Sequence, residues 1–179
     1  FYYDYQGLQV PLTVSQPGGA QLTEFFNLKS SQSYGAELEL AWQPADALQL
    51  SFNYGWGHSR IDSACCFVDG QDPLALQPGA QPSGPVVNGQ QPQSVEGARL
   101  SDTPRHKLAL NAMYSIAFDP GTLSLSGNYV LRSSAYSNIF NREYNRLPSW
   151  DQVDLRAIWT GKNDRYRVIA FVKNVFDSK

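Results

Sequence analysis

The chain has 179 residues, a formal charge of −2, 17% charged and 13% aromatic residues, enough for one globular domain or part of a larger one. No apolar run exceeds five residues, the longest being 64–68 and 168–172, so no segment can cross a bilayer as a helix. No basic segment appears, which argues against a nucleic-acid partner.

Residues 1–10 read as a strand, and nothing in them resembles a signal peptide. A first loop near 11–22 carries the turn signal Pro17-Gly18-Gly19, and 22–28 lead into the strand that contains Gly35. In 35–43, Ala36, Leu38, Leu40 and Trp42 share one face, while Gly35, Glu37, Glu39 and Ala41 share the other. Pro44-Ala45-Asp46-Ala47 is a tight turn. In 48–57, Leu48, Leu50, Phe52, Tyr54 and Trp56 alternate with Gln49, Ser51, Asn53, Gly55 and Gly57. A period of two over such spans predicts strands.

Residues 59–102 break the pattern with Pro73, Pro78, Pro82, Pro85 and Pro92 among Gly, Gln and Ser, and predict a long loop with little regular structure. Alternation resumes in 106–118, with Leu108, Leu110, Ala112, Tyr114, Ile116 and Phe118 opposed to Lys107, Ala109, Asn111, Met113 and Ser115. After a turn at 119–121, Leu123, Leu125, Gly127, Tyr129 and Leu131 oppose Ser124, Ser126, Asn128 and Arg132, with Val130 off the pattern. A medium loop spans 135–148. Val153, Leu155, Ala157 and Trp159 then alternate with Gln152, Asp154, Arg156 and Ile158. A turn at 161–164 leads to a last strand over 166–176.

These six or seven strands are joined alternately by tight turns and long loops. That parity suits an antiparallel transmembrane β-barrel, whose strands need about 9–11 residues to cross a bilayer. A soluble β-sandwich also alternates. Three features favour the barrel: strands longer than the usual ~5–6 residues, aromatics near strand ends (Trp42, Phe118, Tyr54, Trp56) as in interfacial girdles, and a polar face rich in Ser and Asn rather than Lys and Glu. The apolar face then meets lipid and the polar face lines the lumen.

Several segments resemble the C-terminal part of the barrel of TonB-dependent outer-membrane receptors. They are YYDYQGLQV (2–10), SYGAELELAWQPADALQLSFNYGWGHS (33–59) with its Gly35, Glu37, Glu39 core, LSDTPRHKLALNAMY (100–114), LPSWDQVDLRAIW (147–159), and YRVIAFVKNVFD (166–177) with Asn174, Phe176 and Asp177. The resemblance covers nearly the whole chain, with five loose motifs in the family's order. It implies about seven C-terminal strands of a 22-stranded type of barrel, in the outer membrane of a Gram-negative bacterium.

It also implies an N-terminal plug domain and a plug segment that contacts TonB. The activity implied is TonB-coupled active import of a siderophore, cobalamin, haem or saccharide. Residues 1–179 would be a partial barrel domain, with the plug domain and a final aromatic-ended strand absent. The expected partners are membrane lipid, TonB through the missing plug, and a small ligand whose identity the sequence does not give. No cofactor and no enzymatic activity are implied. The competing reading is a passive porin-like channel or a structural barrel without energy coupling.

Candidate lumen-lining residues are Glu37, Glu39, Asn53, Asn111, Asn128, Arg132, Asp154 and Arg156. Glu37 and Glu39 form either an acid pair or hydrated lining. Arg132, Asp154 and Arg156 form either a charge ladder toward plug or anionic ligand, or a structural ion-pair network. His58 and His106 flank the long loop, and their spacing to Cys65-Cys66 fits no zinc signature. In an oxidising compartment Cys65 and Cys66 predict a disulfide, either with each other or with cysteines elsewhere. Phe67, Tyr136, Phe140, Arg142 and Tyr144, among Asn138, Asn141 and Asn145, are candidate extracellular-loop ligand contacts. The alternative is that these aromatics fold the loops on themselves.

Overall fold

The computed structural model describes residues 1–15, 20–72 and 89–178. The turn at Pro17-Gly18-Gly19, and Pro73, Pro78, Pro82 and Pro85 of the long loop, lie outside the described residues. The strands are β1 (Tyr2–Ser15), β2 (Gln21–Ala45), β3 (Leu48–Ser63), β4 (His106–Phe118), β5 (Gly121–Arg132), β6 (Ala135–Tyr136), β7 (Arg146–Leu147), β8 (Trp150–Gly161) and β9 (Arg167–Val172). Seven of them form one sheet in the order β1-β2-β3-β4-β5-β8-β9, and β6 and β7 form a separate ribbon. Sequence neighbours are sheet neighbours except where the β6–β7 ribbon intervenes, the up-and-down order that alternation and tight turns imply.

Three boundaries differ from the sequence reading. β1 runs to Ser15 and β2 starts at Gln21, so the first loop is shorter than 11–22. Val10, Leu12 and Leu28 are buried there, which rewards continued pairing. Pro11 is tolerated because β1 lies at the end of the sheet order. β3 continues through Ile61, which is fully buried, to Ser63, so the long loop spans 64–105. β9 stops at Val172 rather than near 176. Asn174 and Asp177 have left-handed backbones, and the Asn174 side chain closes onto Ser178, accepting from its N–H and donating to its carbonyl.

The chain divides into two compact units. The second unit comprises 36–56, 104–134 and 148–179. Its register joins the apolar residues in continuous rows. Phe52 pairs with Leu110, Leu110 with Tyr129, and Tyr129 with Val153. Leu123 pairs with Trp159, and Trp159 with Val168. Val130, off the pattern, pairs with Ala109 on the polar face. A slip of one residue would move every one of these side chains to the other face.

Two glycines matter at the turns. Gly121 and Gly161 are paired across β5 and β8. A Cβ on Gly121 would collide with the Thr160 carbonyl oxygen, and one on Gly161 would strike the Tyr166 ring. Asn163 and Asp164 both have positive φ in the connection from β8 to β9, which the Gly161 N–H closes by donating to Tyr166 O.

The first unit comprises 1–35, 57–103 and 135–147. Every buried hydrophobic residue among those described belongs to it, including Leu28, Ile61, Phe67, Val95, Ile139 and Phe140. Its core is thus made from strand tips and loops.

Candidate functional site

In the second unit the polar side chains also fall into rows. Ser51 pairs with Asn111, Asn111 with Asn128, and Asn128 with Asp154. Ser126 pairs with Arg156 one step along, and the Ser115 and Ser124 hydroxyls share a hydrogen bond of 3.1 Å. Asp154 accepts from the Gln152 amide (2.7 Å) and from the Asn174 N–H (2.9 Å), so β8 and the chain following β9 are tied through one carboxylate. Glu37, Glu39, Asn53 and Lys107 line a depression of about 290 Å³ on this face. Arg132 pairs with Lys107 on one side and Trp150 on the other. The eight residues expected to form one polar lining therefore include two neighbouring groups, the Asn111–Asn128–Asp154 row and the Glu37–Glu39–Asn53 depression.

Tyr54 and His106 share a hydrogen bond of 2.8 Å between the phenol and Nδ1, on the apolar face at the long-loop end of β3 and β4. In the first unit the His58 ring lies 5.1 Å from that of Tyr34. Each of these histidines has an aromatic neighbour, and among the described residues no group of three His, Cys, Asp or Glu side chains gathers around a metal-sized space.

The first unit interlocks two loops. The tip of β3 pairs with 95–98: Ile61 N–H donates to Ala98 O, and Gly97 N–H to Ile61 O, each at 2.8 Å. Phe67 and Gln93 exchange two backbone bonds. Asn141, in a left-handed conformation, accepts from Arg99 N–H (2.8 Å) and donates back to Arg99 O (3.0 Å). The Ser59 hydroxyl accepts from Leu100 N–H and bonds the Thr103 hydroxyl. Arg142 holds Asp72 with two parallel bonds of 3.0 and 3.1 Å, and the Asp72 side chain has no exposed surface. This fork geometry is the strong form of an Arg–carboxylate pair.

Asp69, beside it, accepts from Gln71 N–H and from the Asn138 amide. Burial pushes its carboxyl above the ordinary value of 3.8, the Gln71 bond works against that, and the Asp72 charge adds to it.

Each loop candidate has a defined place. Phe67 and Phe140 are buried in the core of this unit, and Phe67 meets Phe26 edge to face. Tyr136 carries the Arg99 guanidinium over its ring at 4.9 Å. Arg142 is committed to Asp72. Tyr144 is half exposed, and partial burial followed by the charges of Asp72 and Asp69 raises its phenol. Cys65 and Cys66 are joined to each other by a disulfide. Sequence reasoning missed Asp69, Asp72, Ser59, Ile61 and Ile139. The apolar residues inside the polar loops were the available signal that these loops own a core.

The family described as TonB dependent receptor-like, β-barrel matches residues 1–175. Among solved structures the chain is similar to BauA, the ferric preacinetobactin receptor from Acinetobacter baumannii, with a TM-score of 0.59 and 17% identity. The match covers 97% of this chain and 22% of that one, so the chain spans about a fifth of that receptor's length. At this identity the likeness bears on the fold. No curated protein matches the chain. The family is one of receptors rather than an enzyme class. By its family match over 1–175, its all-antiparallel registers and its structural likeness, the chain belongs to the TonB-dependent receptor β-barrel family.

Proposed function

We propose that the chain is part of the barrel wall of an outer-membrane receptor of a Gram-negative bacterium, and that the parent protein imports a scarce small ligand with energy delivered through TonB. In this reading the parent also carries a plug domain and a final strand. The observation that carries it is the pair of opposed row systems in the second unit: apolar rows with Leu38, Leu40 and Trp42 more than half exposed, backed by rows of Ser, Asn and charged residues. A soluble sheet covers such a face with a second layer, whereas a barrel wall turns it to lipid.

Phe118, Trp159 and Tyr166 cluster at the turn end, where Phe118 and Trp159 lie 5.8 Å apart. They would form one interfacial girdle. Asn53, Asn111, Asn128, Asp154 and Arg156 would line a hydrated lumen, with Glu37, Glu39 and Arg132 beside them. Among the described residues β1 and β9 each keep one edge unpaired in the sheet order, which the remaining strands of a closed barrel would cover.

Ligand capture would fall to the interlocked loops 64–105 and 133–149. There Tyr144 and the Arg99–Tyr136 pair offer aromatic and cationic surface, and Phe67, Phe140 and Arg142 hold the loops in place. A ferric siderophore, the class named for the structural neighbour, is the first ligand to test.

The test is uptake of a radiolabelled ferric siderophore by cells carrying the complete receptor, with and without TonB and with and without an uncoupler. Import that stops in both deficient conditions supports the reading. Uptake that survives loss of TonB identifies a passive pore instead. No uptake of any siderophore, together with TonB-dependent growth on cobalamin, haem or a saccharide, moves the ligand class but keeps the coupling.

A further inference from the structure

Lys107 and Arg132 stand directly opposite each other on the polar face of the β4–β5 pair. Like charges in that position destabilise a sheet. The cross-strand row supplies no relief, because Gly55 lies beyond Lys107 on β3 and Trp150 lies beyond Arg132 on β8. Neither cation forms an ion pair among the described residues. Residues 16–19, 73–88 and 179 contain no Asp or Glu side chain that could serve instead.

The acids on the same face do not answer the pair. Glu37 and Glu39 share a depression with Lys107 without an ion pair to it. Asp154 belongs to the row of Asn128, four residues along β5 from Arg132, or about 13 Å. The Arg132 guanidinium lies over the Trp150 ring at 5.9 Å, and its Nε is buried with no hydrogen-bond partner. A buried guanidinium donor left unmade is costly.

The position is fixed, not accidental. Immediately beyond the pair, His106 N–H donates to the Ser133 hydroxyl and Ser133 N–H donates to His106 O, both at 2.9 Å. This clamp keeps the two cations in register.

We propose that Lys107 and Arg132 form a carboxylate-binding site on the polar face, with Trp150 backing the guanidinium. A carboxylate there accepts from the planar fork of Arg132, Nε included, while the Lys107 ammonium supplies a second positive charge. Two sources of that carboxylate share this chemistry: a side chain from another segment of the parent receptor, or a small carboxylate solute entering the site. The proposal rests on the register and the unpartnered donor, and stands whether or not import is coupled to TonB.

The test uses the complete receptor folded in detergent micelles. Its melting is followed at fixed ionic strength, with and without citrate, for the wild type, Lys107→Gln, Arg132→Gln, Arg132→Lys and the exposed control Arg105→Gln. If a solute fills the site, citrate raises the melting temperature of wild type. The citrate concentration needed then rises at least 10-fold in Lys107→Gln and Arg132→Gln, rises less in Arg132→Lys, and is unchanged in Arg105→Gln. If a receptor side chain fills it, citrate has no effect, and both Lys107→Gln and Arg132→Gln lower the melting temperature, the loss in Lys107→Gln shrinking in high salt.

Among the described residues the Lys107 side chain makes no ion pair, so its substitution removes a positive charge without breaking one. The proposal is overturned if Lys107→Gln leaves or raises the melting temperature while citrate acts equally on all variants or on none.

Discussion

The two units of this chain bury themselves in opposite ways. The first unit, made of strand tips and loops, contains every buried hydrophobic residue among those described, and also buried Ser31, Ser59, Asp69 and Asp72. The second unit, made of regular antiparallel strands, has one buried residue among those described, Gly161. Many of its large apolar side chains are exposed, from Trp150 at 36% to Phe176 at 73%, and others, such as Phe52 and Tyr129, are only half-buried. Regular structure and a private core are therefore separate properties here. The loops supply their own stability by packing, while the sheet leaves its apolar rows for an environment outside the chain to cover.

The largest effect that separates them is cavity formation. Phe67→Ala should lower the free energy of opening the loop unit by about 3–5 kcal/mol, because the ring is buried and its edge-to-face contact with Phe26 is lost. Leu110→Ala in the sheet should change local stability by less than about 1 kcal/mol, since a side chain that exposed leaves no protein cavity. Amide exchange of 59–69 and of β4 in the complete receptor reads both. Equal losses would mean that the contrast between the units is not one of burial.

A second contrast lies within the loops. Arg142→Ala removes the fork from the fully buried Asp72 carboxylate. Loss of one partner of a buried pair costs about 3–5 kcal/mol, and the partial exposure of Arg142 lowers the expectation to about 2–3 kcal/mol. Glu143→Gln breaks the exposed pair with Arg146 and should cost about 0–1 kcal/mol. Adding Asp72→Asn to Arg142→Ala should recover part of the first loss, read as a coupling term in a double-mutant cycle. Additive effects would remove Asp72–Arg142 as the link between the two loops.

In the sheet, sensitivity should concentrate at the turns. Gly121→Ala drives a Cβ into the backbone carbonyl of Thr160 and should cost about 1–3 kcal/mol, because β5 or β8 must shift. Gly161→Ala meets only the Tyr166 ring, which can swing away at the expense of its bond from Trp159 Nε1. It should cost less than Gly121→Ala, as measured by the receptor's melting temperature. The reverse order would mean that the ring at Tyr166 is held more rigidly than the strand edge.

The same contrast explains what the sequence discloses. Alternation at Leu108, Leu110, Ala112 and Tyr114 is a local property of one strand, and the tight turn between β4 and β5 sets the register that places Tyr114 opposite Leu125. The register of β4 against Leu50 and Phe52 of β3 spans the long loop and is set by matching the apolar faces. The fold class, the seven strands of the main sheet and the opposed faces were therefore legible, whereas the short β6–β7 ribbon inside 135–148 was not. The ends of β1 and β3 were not, because what extends them is burial of Leu12 and Ile61 against distant loop segments.

Nor was the loop site. Asp72 and Arg142 are 70 positions apart, and no periodicity links them. The aromatics Phe67 and Tyr144 look alike in a polar loop, yet one is buried and the other half exposed. The unopposed pair Lys107–Arg132 needed the register: each residue alone reads as an ordinary polar-face cation.

The smallest effect expected is a pH response confined to the loop unit. The Asp69 carboxyl is raised above 3.8, first by burial and then by the Asp72 charge, against the Gln71 N–H bond. A raised carboxyl binds its proton more tightly in the folded loop than in the opened one. Its contribution to stability is thus fully present below the ordinary value and is lost as pH rises through the raised one. Amide exchange at 66–72, corrected for intrinsic rates, should show greater protection in mild acid than at pH 7, with no matching slope in β4 or β5. Asp69→Asn should flatten the slope. The substitution also leaves one acceptor oxygen for two donors, Gln71 N–H and the Asn138 amide, so one bond of about 1 kcal/mol is given up. At pH 7 this loss opposes the relief of the Asp69–Asp72 repulsion, and net stability should barely move. A slope that persists in Asp69→Asn would assign the response to another group in the cluster, and its absence in wild type would mean that water reaches Asp69 in the folded loop.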